Sequence, residues 1–312
     1  MNRVLLTFLL LLGVLSACTR QESEISPTRG SVTAYVAESH AVLMQREADE
    51  FHRLYEAAQV TLLSSTTREA IVHLLNDSVR IIITDRPLNA EEQGIVKQHD
   101  IRLTETKIAE DALALVVHQQ NPLQEMRRAT LAGIVRREIT GWNQVAGSKW
   151  SGPIEFVFTG RNSGAYELLT RKFLQIDEVV PTIVVNTQKE VLDYIASHPA
   201  AFGVVSAACF YSVTRPQGVV DSTTVLRTLA FERQDTTVTS QFVKLHPANV
   251  HRGFYPLHYG VYIYTSSSPS RDAGPEVGFA SFVASYPGQK IIQDAGLVPA
   301  TMPIRLVQIN ED

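Results

Sequence analysis

The sequence predicts an α/β fold built on mainly parallel strands, and three observations predict it. From Gly30 onward, short apolar runs alternate with amphipathic segments at helical spacing. Three consecutive apolar runs end in polar turns that open helices, the arrangement in which open α/β sheets bind ligands at the carboxyl ends of their strands. The chain of 312 residues is 45% hydrophobic, enough for a sizeable core and for two domains of about 150 residues each.

The elements follow in order. Val32 to Val36 reads as a strand, followed by the turn Glu38-Ser39-His40 and a helix carrying Val42, Leu43, Phe51 and Leu54. Val60 to Leu63 is a second strand. In "SSTTREAIVHLL", which follows it, Thr66 and Glu69 form a capping box, and Ile71, Leu74 and Leu75 form the buried face of a helix. Ile81 to Thr84 is a third strand, Asp85-Arg86-Pro87 turns the chain, and Asn89 with Glu92 caps the next helix. A second lobe begins near "DALALVV", residues 111 to 117, and takes in the strand Ile154 to Phe158. It continues through "TIVVN", a helix capped by Thr187 with Glu190, and "AFGVVSAA", where Gly203 allows close backbone approach. Near "YPLHYGVYIYT", residues 255 to 265, the chain returns to the first lobe, and residues 266 to 275 read as a surface loop. The last helices are "VGFASFVASY" and "GQKIIQDAG", the second ending at Gly296 as its C′ residue. The expected division is 30–110 and 251–312 for lobe 1, and 111–250 for lobe 2.

The first residues read as an export leader. Arg3 precedes an apolar run from Val4 to Leu15 that is shorter than the roughly 20 residues a spanning helix needs. The run ends in "LSAC", a lipobox, so residues 1–17 are expected to be a signal peptide and Cys18 the lipidated N-terminus. Residues 18–29 are then a polar tether. Losing Arg3 with the leader takes the net charge from −4 to −5, and a global basic patch for nucleic acid is absent. Cys209 is the only other cysteine, so acylation of Cys18 leaves it unpaired, and it reads as a small buried hydrophobe.

Residues 159 to 169, "TGRNSGAYELL", lie between the strand Ile154 to Phe158 and a segment with Tyr166, Leu169 and Phe173 at helical spacing. The first N–H groups of a helix have no internal partner and carry partial positive charge, so an anion fits there. Taken alone, the stretch reads first as an ordinary helix start with Ser163 as its N-cap.

In order and spacing, several stretches resemble the phosphate-binding protein of bacterial ABC phosphate importers, a type II periplasmic binding protein. They are "RIIITDRPLNAEE", "IAEDALALVV" with "NPL", "LAGIVRREITGWNQVAG", "PIEFVFTGRNSGAYELLTRKFL", "AFGVVSAA", "YPLHYGVYIYT" and "FASFVASYPGQKIIQDAGLVP". The resemblance covers most of the chain from Gly30 to Thr301. It implies two α/β lobes joined by hinge strands, with a ligand cleft between them that closes over one desolvated oxyanion.

By the same resemblance, four turns hold the anion: Glu38-Ser39-His40, then Ser64, Ser65 and Thr66, then Asp85, then Arg161 with Ser163, Gly164 and Ala165. The sequence departs from the family at three places. Glu38-Ser39-His40 stands where a glycine and small hydroxyl residues are usual, Ala165 replaces a threonine, and Arg161 lies only two residues before Ser163. A buried phosphate dianion must recover in hydrogen bonds what it loses in hydration. Ser39, Ser65, Ser163 and the N–H groups of Gly164 and Ala165 can supply donors, and Arg161 a charged fork. Asp85 can accept the proton that monohydrogen phosphate carries and sulfate lacks, or else pair with Arg86 or stabilise its own turn. Thr66 reads as a structural cap, Glu38 as turn-stabilising or as a second carboxylate opposing the anion, and His40 as a candidate donor.

Neither an H-E-x-x-H pair nor any other metal-ligand spacing is present, and His246 and His251 fall on different helix faces, so no metal is expected. "RNSGA" lacks the flanking glycines of a nucleophile elbow, so no catalytic residue and no cofactor are expected. The function expected is a monomeric, lipid-anchored protein of the cell envelope, facing the periplasm or exterior, that captures inorganic phosphate and delivers it to ABC permease subunits. The alternatives are an oxyanion sensor or scavenger working without a permease, and a phosphate-ester hydrolase.

Overall fold

The computed structural model describes residues 25–215, 221, 223–233, 241–269 and 273–301. Cys18 and the leader lie outside the described residues.

The chain opens with β1 (Gly30–Ala37), a 3₁₀ turn over Glu38–His40 and α1 (Ala41–Leu54). Next come β2 (Ala58–Ser65), α2 (Thr67–Leu75), β3 (Ile81–Thr84) and α3 (Ala90–Gln98). β1 pairs in parallel with β2 on one side and β3 on the other, placing Val36 beside Ser64 and Ile83. All four β3 residues are buried, as expected of a central strand covered on both faces. α1 turns Leu43, Met44, Ala48 and Phe51 inward, while Val42 and Leu54, expected on its apolar face, are exposed. Positions 44, 48 and 51 follow the i, i+4, i+7 stripe from Met44, and Val42 lies off it. The cap of α3 is reciprocal: Asn89 accepts from the Glu92 N–H and Glu92 from that of Asn89. At α2, Thr66 accepts from the Glu69 N–H, but no return bond is made.

β4 (Arg102–His118) is a 17-residue strand that joins the two halves of the sheet. Its first part pairs antiparallel with β12 (His258–Ser267), itself antiparallel to β3, and residues from Leu113 onward pair with β8 (Ala201–Ser206). Between them lie β5 (Glu125–Met126), α4 (Arg128–Val135), β6 (Glu155–Thr159) and α5 (Gly164–Glu167), the last continuing as a π-helix to Leu174. Then come β7 (Ile183–Val185) and α6 (Gln188–Ser197); α7 (Ala207–Thr214) follows β8. β6 lies parallel between β7 and β8. The full strand order is β2-β1-β3-β12-β4-β8-β6-β7. The antiparallel pairs are thus confined to the middle of the sheet, where β12 and β4 run side by side.

Gly203 of β8 has no room for a side chain, since a Cβ there would come within 2.5 Å of Val191 Cγ1 on α6. The chain then passes through β9 (Leu226–Thr228), β10 (Ala230–Glu232), β11 (Phe242–Val243) and α8 (Pro247–His251) to β12. It closes with α9 (Pro275–Ala284), α10 (Tyr286–Asp294) and β13 (Val298–Pro299). Gly296 follows α10 at φ +84°, a left-handed end that suits glycine. One apolar cluster spans the sheet, from Phe51 and Ile83 through Leu115 to Phe158 and Phe202. Each such side chain contributes roughly 1.5–3 kcal/mol by burial. Among the described residues, no helix is long and apolar enough to cross a membrane.

Candidate ligand-binding cleft

Four turns at the carboxyl ends of β1, β2, β3 and β6 converge on one cleft of about 400 Å³, joined by the approach to α6 at Asn186, Thr187 and Gln188. The volume lies in the range of small-molecule sites. Ser39, Ser64, Ser65, Asp85, Arg161, Ser163 and Gly164 all line it, although they come from widely separated parts of the chain.

The second half contributes the start of α5. Ser163 is its N-cap: Oγ accepts from the Tyr166 N–H at 3.2 Å and from Thr159 Oγ1 at 2.7 Å. Both acceptor positions are thereby used, and its own hydrogen is left to donate. Gly164 and Ala165 follow in the first turn, with the Ala165 side chain buried. Facing them from the first half is Asp85, only 2% exposed. A Cβ on Gly164 would lie 1.6 Å from Asp85 Oδ2, so this close approach of helix start and carboxylate requires glycine.

Asp85 takes its orientation from Thr67, whose Oγ1 donates to Oδ1 at 2.6 Å. Burial raises the Asp85 carboxyl above the usual range, against the lowering effects of the Thr67 bond and nearby His40. The pairing with Arg86 considered from the sequence is not the one made. Arg86 instead pairs with Glu92 at 2.8 Å and, in the second half of the sheet, with Glu167 of α5 at 3.0 Å. Sequence reading passed over Thr67 because Thr66 beside it carries the cap; Thr67 is the first residue inside α2, and its inward side chain meets the β3 turn.

Two candidates sit differently from expectation. His40 is fully buried and does not line the cleft; both ring nitrogens have protein partners, Ser39 Oγ at 2.9 Å and Asp111 Oδ2 at 3.0 Å. The cause is the 3₁₀ turn, which rotates successive side chains by about 120°. Ser39 therefore faces the cleft and His40 the interior. The Arg161 guanidinium is at the rim, its side chain 71% exposed and paired with Glu178. Glu38 reaches across to the second half, where Oε1 accepts from the Gln188 N–H at the start of α6 at 3.1 Å. Burial raises its carboxyl above the usual value. Ser65 is buried, its Oγ donating to the Thr66 carbonyl at 3.2 Å, whereas Ser64 is exposed. Away from the cleft entrance, Cys209 packs half-buried against the core, with its thiol pushed up by burial.

Convergent hydroxyls, a helix start and a carboxylate aimed at it make a place for an oxyanion that carries its own proton. The family model of the PBP superfamily domain matches residues 21–286. The chain belongs to the PBP superfamily. Within that superfamily it is similar to the phosphate-binding protein PstS of Pseudomonas aeruginosa, 22% identical over 92% of this chain and 88% of that protein. Protein SphX of Synechococcus elongatus is 25% identical over 88% of this chain and 79% of its own length. Among solved structures, an ABC-type phosphate transport receptor from Vibrio cholerae superposes with a TM-score of 0.64 at 24% identity, over 87% of this chain and 100% of that one. A substrate-binding protein from Clostridium perfringens with bound phosphate gives 0.71 at 19% identity, again over 87% and 100%. The sheet with central antiparallel strands is thus a fold this chain shares with those structures.

Proposed function

We propose that this chain is a lipid-anchored solute-binding protein that captures inorganic phosphate in the cleft and delivers it to the permease of an ABC importer. The observation that carries the reading is the approach of the α5 start to Asp85, with no side chain tolerated between them. The helix start supplies positive partial charge, Ser163 and Ser39 bring hydroxyls, and Asp85 supplies an acceptor for the proton of monohydrogen phosphate. The names of PstS and of the transport receptor support phosphate as ligand. Residues 30–110 and 251–312 form one lobe in this proposal and 111–250 the other, with β4 and β12 as the hinge. Cys18 carries the lipid, the protein works as a monomer at the cell envelope, and it performs no chemistry on the phosphate.

Calorimetry with inorganic phosphate tests the binding claim, and saturation at one phosphate per chain is expected. Phosphate-dependent stimulation of a reconstituted permease tests delivery, and membrane release of Cys18→Ala tests the anchor.

A further inference from the structure

Behind the cleft lies a buried chain of polar groups that the phosphate reading does not use. Asp111, on β4 and 1% exposed, has its carboxylate saturated. Oδ1 accepts from the N–H groups of Ala112 at 2.6 Å and Ala208 at 3.3 Å, and Oδ2 accepts from Tyr259 OH at 3.0 Å and faces His40 Nε2 at 3.0 Å. A carboxylate surrounded in this way acts only as an acceptor, so His40 Nε2 carries a hydrogen. The other ring nitrogen, Nδ1, is 2.9 Å from Ser39 Oγ, and Ser39 lines the cleft.

Two protonation states of the ring give Ser39 opposite roles. With a neutral ring, Nδ1 is bare, Ser39 donates its single proton inward, and only lone pairs face the cleft. With a cationic ring, Nδ1–H donates to Ser39 Oγ and the hydroxyl proton is free to point at a ligand. A ligand oxygen that carries no proton can use only the second arrangement.

An anion added to the charges around the cleft shifts the ring toward the same state. Its lining carries the carboxylates of Glu38, Glu69 and Asp85 against one cation, Arg161, which is exposed and already paired with Glu178. The groups facing His40 are Glu38 on its own turn, Asp85 after β3, Asp111 on β4 and the edge-on ring of Tyr259 on β12. Cys209 on α7 lies in the field of Glu38 and Asp111, and Glu47 is the next buried carboxyl along α1. A dianion added to this surrounding is favoured by a buried positive charge close by, and the imidazole ring directly behind Ser39 is the group placed to supply one.

We propose that His40 is a positioning residue that takes up a proton from solvent when the cleft takes up its anion, converting Ser39 from an acceptor into a donor toward the ligand. The inference rests on the reading of the cleft as a phosphate site, and its test separates the two.

Full-length protein labelled with ¹⁵N-histidine is examined at pH 7.5 with and without inorganic phosphate. The His40 signals are identified by their cross-peaks to the Tyr259 ring, whose centroid is 6.3 Å away. The expected result is one bare and one protonated ring nitrogen without phosphate, and two protonated nitrogens at saturation. Calorimetry in two buffers of different ionisation enthalpy should then report proton uptake, up to one per phosphate, that is absent from His40→Asn. If phosphate saturates the protein while the His40 pattern stays as it was, the proton coupling is wrong and the phosphate site stands. If phosphate produces neither heat nor any spectral change, the phosphate reading fails and the coupling falls with it.

Discussion

Asp85 and Arg161 are the residues on which the sequence and the structure weigh most differently. For Asp85 the structure gives a buried carboxyl held by Thr67 against a glycine, and the proposal that it touches the ligand rests on that placement. Asp85→Asn keeps the size but adds a donor, so sulfate should gain on phosphate. A phosphate-to-sulfate ratio on the order of 10⁴ in the parent is expected to fall in the variant, read by titrating both anions at one ionic strength. For Arg161 the sequence alone suggests a desolvated partner whose loss would cost about 2–5 kcal/mol of binding. An exposed guanidinium already paired with Glu178 is worth far less. Arg161→Ala should therefore weaken phosphate binding by no more than about 1 kcal/mol. Glu47 makes a separate prediction about stability. It is buried on α1, neither carboxyl oxygen has a hydrogen-bond partner among the described residues, and burial pushes its pKa up to about 9. Such a carboxyl keeps its proton in the fold and releases it on unfolding, so its contribution is complete below about pH 4.5 and declines as pH rises toward 9. At pH 7 the deficit reaches as much as about 3 kcal/mol, from roughly two and a half pH units at 1.36 kcal/mol each. Glu47→Gln should raise the melting temperature at pH 7 to 8 and flatten its decline with pH, with little effect near pH 4.

The regular elements were legible because local signals and burial agree in them. The cap at Asn89 and Glu92 is made in both directions, and β3 is apolar throughout and buried throughout. Less legible were features whose cause is distant in sequence. Thr67 gains its role only because β3 brings Asp85 beside it, 18 residues later. The inward turn of His40 depends on a 3₁₀ geometry with no composition signal of its own, and on Asp111, 71 residues away. The π-helix after α5 is likewise unmarked, since Leu169 and Phe173 suit either helix. Because α5 has only four residues, the placement of its start depends on tertiary contact rather than helix propensity. Gly164 provides that contact. Gly164→Ala would improve helix propensity yet drive a methyl into the Asp85 carboxylate, separating the α5 start from the β3 turn. Phosphate affinity should drop at least tenfold while far-ultraviolet circular dichroism stays unchanged, a combination that calorimetry and spectroscopy on one sample can check.

At the scale of the whole molecule, the two halves of the sheet are tied by side chains as well as by β4 and β12. Glu38 reaches the start of α6, Arg86 pairs with Glu167 at 3.0 Å, and Lys172 Nζ donates to the His258 carbonyl at 2.9 Å. These ties join the halves independently of any contact to a ligand, so a ligand that bridges the halves supplies only part of the free energy that holds them together. Arg86 is also held by Glu92 of its own half, so removing Glu167 leaves the arginine paired, takes away the link between halves and lifts a negative charge from the surroundings of Asp85. Glu167→Gln tests the link through the separation of the halves, which the charge beside Asp85 does not set. Both partners are largely buried, the arginine 13% and the glutamate 25% exposed, which places the link near the upper end for an accessible pair, about 1 kcal/mol. That free energy corresponds to a several-fold shift toward separated halves. Small-angle scattering should show a larger radius of gyration for ligand-free Glu167→Gln than for the parent, with both converging at saturating phosphate. The variant's phosphate affinity should fall by the same several-fold factor, because the ligand must now contribute what the ion pair did. An unchanged radius together with unchanged affinity would mean that Arg86 and Glu167 do not govern closure.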